Sequence, residues 1–258
     1  MSWFTMSALT CPACAQAFEV PTADTVNVTR LPAHRGHVLK GNFHRFACPA
    51  CSHAIRVERD FLYTDLDRAQ MVQVHRPDTE KDWRHAEKET LAAFHAAVDN
   101  GPPGVVDFAV TTRLRTVFGL DELAEKVLLW EHGLDDGLVE LLKLELMMAM
   151  PELRRKPDIR LVITTVRDRD GELWAREGDG GQYALPLARL RELAATRGAL
   201  TERFPGLFYR PWVSFKRLAF EAPEHGPEPE AERAPSADAG AEPMAPAFPE
   251  RRQGAQTP

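Results

Sequence analysis

Four cysteines are the residues best placed to do chemistry. Cys11 and Cys14 bracket one Cys-Pro-Ala-Cys quartet, Cys48 and Cys51 bracket an identical one, and no cysteine lies elsewhere. Two such pairs supply a complete tetrahedral thiolate shell for Zn2+. The two-residue gap lets both sulfurs of a quartet face one ion, and Pro12 and Pro49 stiffen the turns. A filled four-sulfur shell leaves no position for water, so the expected metal is structural rather than catalytic. Three other readings compete. Disulfides are rare in a reducing compartment, and no export signal precedes the quartets. Thiol redox chemistry needs one quartet ahead of a helix, whereas the residues after Cys14 and Cys51 alternate like strands. Four free buried thiols would make the repeated spacing a coincidence. His34, His37, His44 and His53 lie near the quartets as alternative ligands; with four cysteines available they read as solvent-exposed loop histidines.

Other reactive constellations are weaker. Asp135, Asp136 and Glu140 form a carboxylate cluster that suits a divalent cation or acid–base work, but acids at a helix start cap it and favour its dipole. The chain has no GxSxG, Walker-type loop or HExxH motif, so an enzyme with an unrecognised site ranks third among the functional readings. Residues 1–60 carry six Lys and Arg against four acids. With Phe43 and Phe46 near, those bases permit a nucleic-acid-associated ribbon, though a balance of +2 is slight electrostatic support. The preferred reading is a zinc-stabilised structural or interaction module with a protein partner.

The elements that must position these residues follow from patterning. Over 258 residues the formal charge is −6, with 44% hydrophobic and 27% charged residues, which excludes a wholly disordered chain and a strongly basic coat protein. No apolar run approaches the roughly 18 residues of a membrane span, and the expected location is the cytoplasm. The expected fold is α+β: a four-cysteine zinc ribbon joined to a helix–sheet body. The ribbon spans about 8–78, with a strand at 25–29, a loop through 34–42 and a hairpin from Phe61–Tyr63 to Met71–His75. A helix over 79–99 has Thr79 as N-cap and Asp82 as its capping-box partner. A strand runs from Val106 to Phe118. Helices follow at about 121–132, with Glu122 and Lys126 as an i,i+4 pair, and at 135–150, apolar on most sides through Met147, Met148 and Met150. Residues 151–221 complete the body with a hairpin over 158–177, a helix near 186–197 and an extended segment from Phe208 to Phe220. Residues 222–258 hold 8 Pro, 9 Ala and a net charge of −4, with Met244 and Phe248 the only bulky apolar residues, and read as a disordered acidic tail.

These motifs resemble the bacterial CpXC domain family. The likeness rests on the two quartets, on Phe61-Leu62-Tyr63-Thr64-Asp65 and its hairpin, and on the stretch 113–118. It continues through 123–143, where Glu125-Lys126-Val127 and Gly133-Leu134-Asp135-Asp136 are most alike. It covers roughly 8–150 and implies a metal-binding domain that includes the helices. Ala15 and Ser52 stand where many zinc knuckles carry glycine.

Overall fold

A computed structural model describes residues 1–100, 109–156, 159–167, 171–178 and 180–221. The tail placed at 222–258, the proline stop at 102–103 and the turn at 168–170 lie outside the described residues. The chain is α+β, as its patterning requires. Strands β1 (Trp3–Thr10) and β2 (Ala17–Asn27) form an antiparallel hairpin. Helix α1 is Ala33–Leu39, and β3 (Arg45–Ala47) pairs with β4 (Ala54–Arg56) in a second small hairpin. Strands β5 (Phe61–Asp65) and β6 (Gln70–His75) are the expected hairpin, with Phe61 opposite Val74. Strand β7 (Arg113–Phe118) runs parallel to β6, giving one five-stranded sheet in the order β1-β2-β5-β6-β7.

Three local expectations fail for reasons of pairing and packing. The loop over 34–42 holds α1 instead, a two-turn helix that buries Arg35 and Val38. Of the strand expected from Val106, residues 106–108 lie outside the described residues, 109–111 turn helically, and pairing begins at Arg113, opposite Gln70, where β6 starts. The capping box is not made: Pro77–Asp82 is a 3-10 turn, Thr79 donates to the Arg76 carbonyl, and helix α2 (Trp83–Asp99) starts after it. Strand β1, uncharged and unanticipated, extends the sheet.

Helices α3 (Leu120–Glu131) and α4 (Asp136–Ala149) occupy the stretches read as helical. After a short α5 (Pro151–Arg154), strands β8 (Leu161–Arg167), β9 (Glu172–Glu177) and β10 (Gln182–Pro186) make an antiparallel three-stranded sheet. Helices α6 (Leu187–Ala195), α7 (Arg197–Arg203), α8 (Pro205–Tyr209) and α9 (Lys216–Glu221) follow. The extended reading of 208–220 therefore holds only between α8 and α9. Packing decides this: a Cβ on Gly137 would sit 2.7 Å from the Leu207 carbonyl, so α8 seats directly on α4.

Helix α3 lies between the two sheets. Leu123, Val127 and Trp130 enter the core of the five-stranded sheet with Val26, Phe61, Tyr63 and Val72. Leu129 enters the second core with Leu142, Ile163, Leu173 and Leu185. A helix buried on both flanks has little solvent face, and its charged residues must find partners inside.

Candidate metal centre

Each quartet caps a hairpin. Cys11 and Cys14 turn β1 into β2; Cys48 and Cys51 turn β3 into β4. The two turns are built alike. The Cys11 amide donates to Gln16 O and the Ala15 amide to Cys11 O, both at 2.9 Å. In the second turn Cys48 donates to His53 O and Ser52 to Cys48 O, again at 2.9 Å. Ala15 and Ser52 both sit at φ 59°, the left-handed region that glycine usually serves. The knuckle geometry is thus made without glycine, at some backbone strain.

The hairpins bring all four sulfurs together. The Sγ atoms lie within 4.8 Å of one another, with Cys11 to Cys51 and Cys14 to Cys48 each at 3.6 Å. Four ligands at about 2.3 Å around one tetrahedral ion stand about 3.8 Å apart, so the cluster has the size and donor chemistry that a metal ion requires. Cys11 and Cys48 are buried, while Cys14 and Cys51 face solvent. Burial pushes the Cys48 thiol up, but amide N–H groups of Cys51 and Ala50, with the Cys14 and Cys11 thiols, bring it down to about 7. The Gln16 amide lowers Cys14, yet the Cys51 thiol, burial and the other sulfurs raise it to about 12. Crowded sulfurs resist sharing several negative charges, and a cation relieves that repulsion.

The histidines play other parts. His37 and His53 are exposed as expected, though His37 lies on α1 rather than in a loop, while His44 is buried and His34, also on α1, half-buried. His44 Nε2 accepts the Ala23 amide at 2.8 Å, and its ring stacks on Phe43 at 4.3 Å. Burial and the Arg59 cation hold its pKa near 4. Phe43 is itself buried against Phe61, so it presents no face for a nucleobase. Arg35, Arg56 and Arg59 each pair with a carboxylate.

The carboxylate cluster divides. Asp135 caps α4, accepting from Gly137 N and Leu138 N, as its position predicts. Asp136 and Glu140 instead enter a buried ionic network that patterning did not reveal. Arg115 grips Asp136 at 2.7 and 2.9 Å. Lys126 reaches Asp136 at 3.4 Å, Glu140 at 3.3 Å and Val213 O at 2.9 Å, in place of the expected pair with Glu122. Lys143 holds Glu125 at 2.7 Å and Glu140 at 2.8 Å. Glu125 also accepts Ile163 N, and Glu140 accepts Phe215 N, so the network joins α3 and α4 to β8 and the residues before α9. Every reactive group in it is satisfied by a neighbour, and the space beside it holds about 20 Å³, room for one water. Nearby, burial and the Glu80 charge raise Glu122 to about 7.

A groove of about 1040 Å³ opens between the 77–82 turn, α4 and α9. Met147 and Met150 pack against the core as expected, Met147 also lying on the groove wall, whereas Met148 is exposed. No helix among the described residues is long and apolar enough to cross a membrane.

The model of a family described as CpXC protein matches residues 9–143. An uncharacterized protein of Treponema pallidum (strain Nichols) is 23% identical over 222 residues, covering 81% of this chain and 97% of the relative. No solved structure matches the chain.

Proposed function

The chain belongs to the CpXC protein family, and on that premise we propose that it is a zinc-stabilised protein-interaction module of the cytoplasm. Cys11, Cys14, Cys48 and Cys51 hold one Zn2+, which ties the β1–β2 hairpin to the β3–β4 hairpin and takes no part in chemistry. The observation that carries this reading is the four-sulfur cluster, whose 3.6 Å edges suit one tetrahedral ion. Strands β1, β3 and β4 contain no buried residue, and those of β2 begin only at Val20, away from its knuckle; structural zinc contributes on the order of 10 kcal/mol in such small units. A reducing compartment keeps the thiols available.

A protein partner is favoured by the open groove with its apolar floor, and by the satisfied state of the buried charges, which leaves no nucleophile–base pair poised for catalysis among the described residues. The pairing of Arg35, Arg56 and Arg59 weighs against a nucleic-acid surface near the knuckles.

Elemental analysis of the purified full-length chain tests the metal. One zinc per chain is expected, and Cys11→Ser and Cys48→Ser should each abolish it. A chain free of zinc, or zinc retained in both variants, overturns the reading. Mobility shifts with single-stranded and duplex DNA and RNA at low salt should show no binding; a salt-sensitive shift would replace the protein partner with a nucleic acid.

A further inference from the structure

The groove has a composition that its own chain can match. Its floor is apolar: Leu144, Met147, Ile159, Phe215 and Leu218. Its rim carries Lys81, Arg154, Lys156, Arg160 and Lys216 against Asp78 and Glu80. Lys156 is paired with Glu177, so the local excess is two positive charges, on a chain whose formal charge is −6. Glu80 is already taken by Lys216 and Arg160. Lys81 and Arg154 have no carboxylate partner among the described residues.

The acidic segment beyond the body starts where the groove ends. Helix α9, which supplies Lys216 and Leu218, stops at Glu221, and residues 222–258 follow with a net charge of −4. Their only bulky apolar residues are Met244 and Phe248, with Glu242 before them and Glu250 after, the latter followed by Arg251 and Arg252. We propose that residues 242–250 dock in this groove, Met244 and Phe248 on the apolar floor and the flanking carboxylates against the basic rim. The docked segment keeps a partner of similar acidic–apolar chemistry out until it is displaced. This deepens the protein-interaction reading and rests on the groove being a docking surface.

Reach and affinity allow it. Twenty residues, 222 to 241, can reach at most about 65–70 Å, ample for a groove that begins beside Glu221. A tether of that length gives an effective concentration of about a millimolar. An intrinsic dissociation constant of about 0.1 mM therefore suffices for about 90% occupancy, a weak affinity that two apolar side chains and two ion pairs can supply.

Zero-length carbodiimide cross-linking of the full-length chain, mapped by mass spectrometry on mixed light and heavy copies, tests the docking. Glu242 and Glu250 should join Lys81 and Lys156 within one copy, in about tenfold excess over Lys40 and Lys88, which lie outside the groove. The excess should disappear in the M244S/F248S double variant. Equal labelling of all four lysines, an excess that survives the double variant, or links between light and heavy copies each overturn docking within one chain. A fluorescent peptide of residues 238–252 separates the two ideas. It should bind the double variant about tenfold more tightly than the unaltered chain. Equal binding to both overturns self-occupancy alone, and binding to neither overturns the groove as a docking surface.

Discussion

Replacing Lys143 with methionine tests whether the buried ions hold α3 and α4 in place. The ammonium makes three contacts, to both oxygens of Glu125 at 2.7 Å and to Glu140 at 2.8 Å, which saturates its donors. Burial would depress its pKa, but the two carboxylates raise it above the ordinary lysine value, so it is charged throughout the working range. The network balances Arg115, Lys126 and Lys143 against Glu125, Asp136 and Glu140. Removing Lys143 leaves one excess negative charge away from water. Each lost contact is worth about 4 kcal/mol gross at an effective dielectric of about 20. Desolvation that no longer has to be met offsets much of this, leaving a cost of about 3–5 kcal/mol. Urea unfolding followed by tryptophan fluorescence measures it. Adding Glu125→Gln to Lys143→Met restores the balance, so the double variant should be more stable than the sum of the single losses predicts by about 1–3 kcal/mol. A single variant within about 1 kcal/mol of the parent, or strict additivity, would refute the view that these charges act as a unit.

Two further outcomes follow from the backbone and from titration. Ala15→Gly and Ser52→Gly remove the cost of φ 59°; after the added entropy of the unfolded chain, each should stabilise the protein by about 0.5–1 kcal/mol. A lowered thermal midpoint in the zinc-loaded protein would show that the two turns carry no strain. Glu122 titrates near 7 when folded, above its ordinary 4.5, so its contribution is complete below about 4.5 and is lost as pH rises through 7. Glu122→Gln should flatten the pH dependence of unfolding free energy across that window. An unchanged slope from pH 4.5 to 8 would assign the titration to another group.

Legibility divided along the range of the interactions. The cysteines were readable because a ligand pair is a local spacing, and β5, β6, α3 and α4 because their apolar periods run long enough to count. Helix α1 spans only seven residues with Gly36 inside it, and its stability comes from Arg35 reaching Asp65 at 3.0 Å and Glu131 at 2.9 Å. No window of sequence contains those partners. The same holds for α9, anchored by Arg217 on Glu87 at 2.7 Å. His44 and Lys126 misled for a related reason. A histidine in a loop and a lysine four residues after a glutamate both suggest solvent, and only the sheet packed over each shows otherwise.

The ionic network coincides with the motifs on which the resemblance beyond the knuckles rests. Glu125-Lys126-Val127 and Asp135-Asp136 carried that likeness, and Glu125, Lys126 and Asp136 are buried members of the ionic network. All six charged members fall within residues 9–143, and the matched region ends at Lys143 itself. A surface of leucines alone lets α3 turn or slide against α4 with little loss, because apolar contact has no direction. Six charges do not: only one rotation and one register satisfies all of them, and any slip strands an ion in the core. The network therefore fixes the geometry that α3 imposes on both sheets, much as an ion held by the four cysteines would tie the two hairpins. The groove floor draws on Leu144, Met147, Ile159, Phe215 and Leu218, all beyond that region, so the groove is built on the α4 that this ionic frame holds in register.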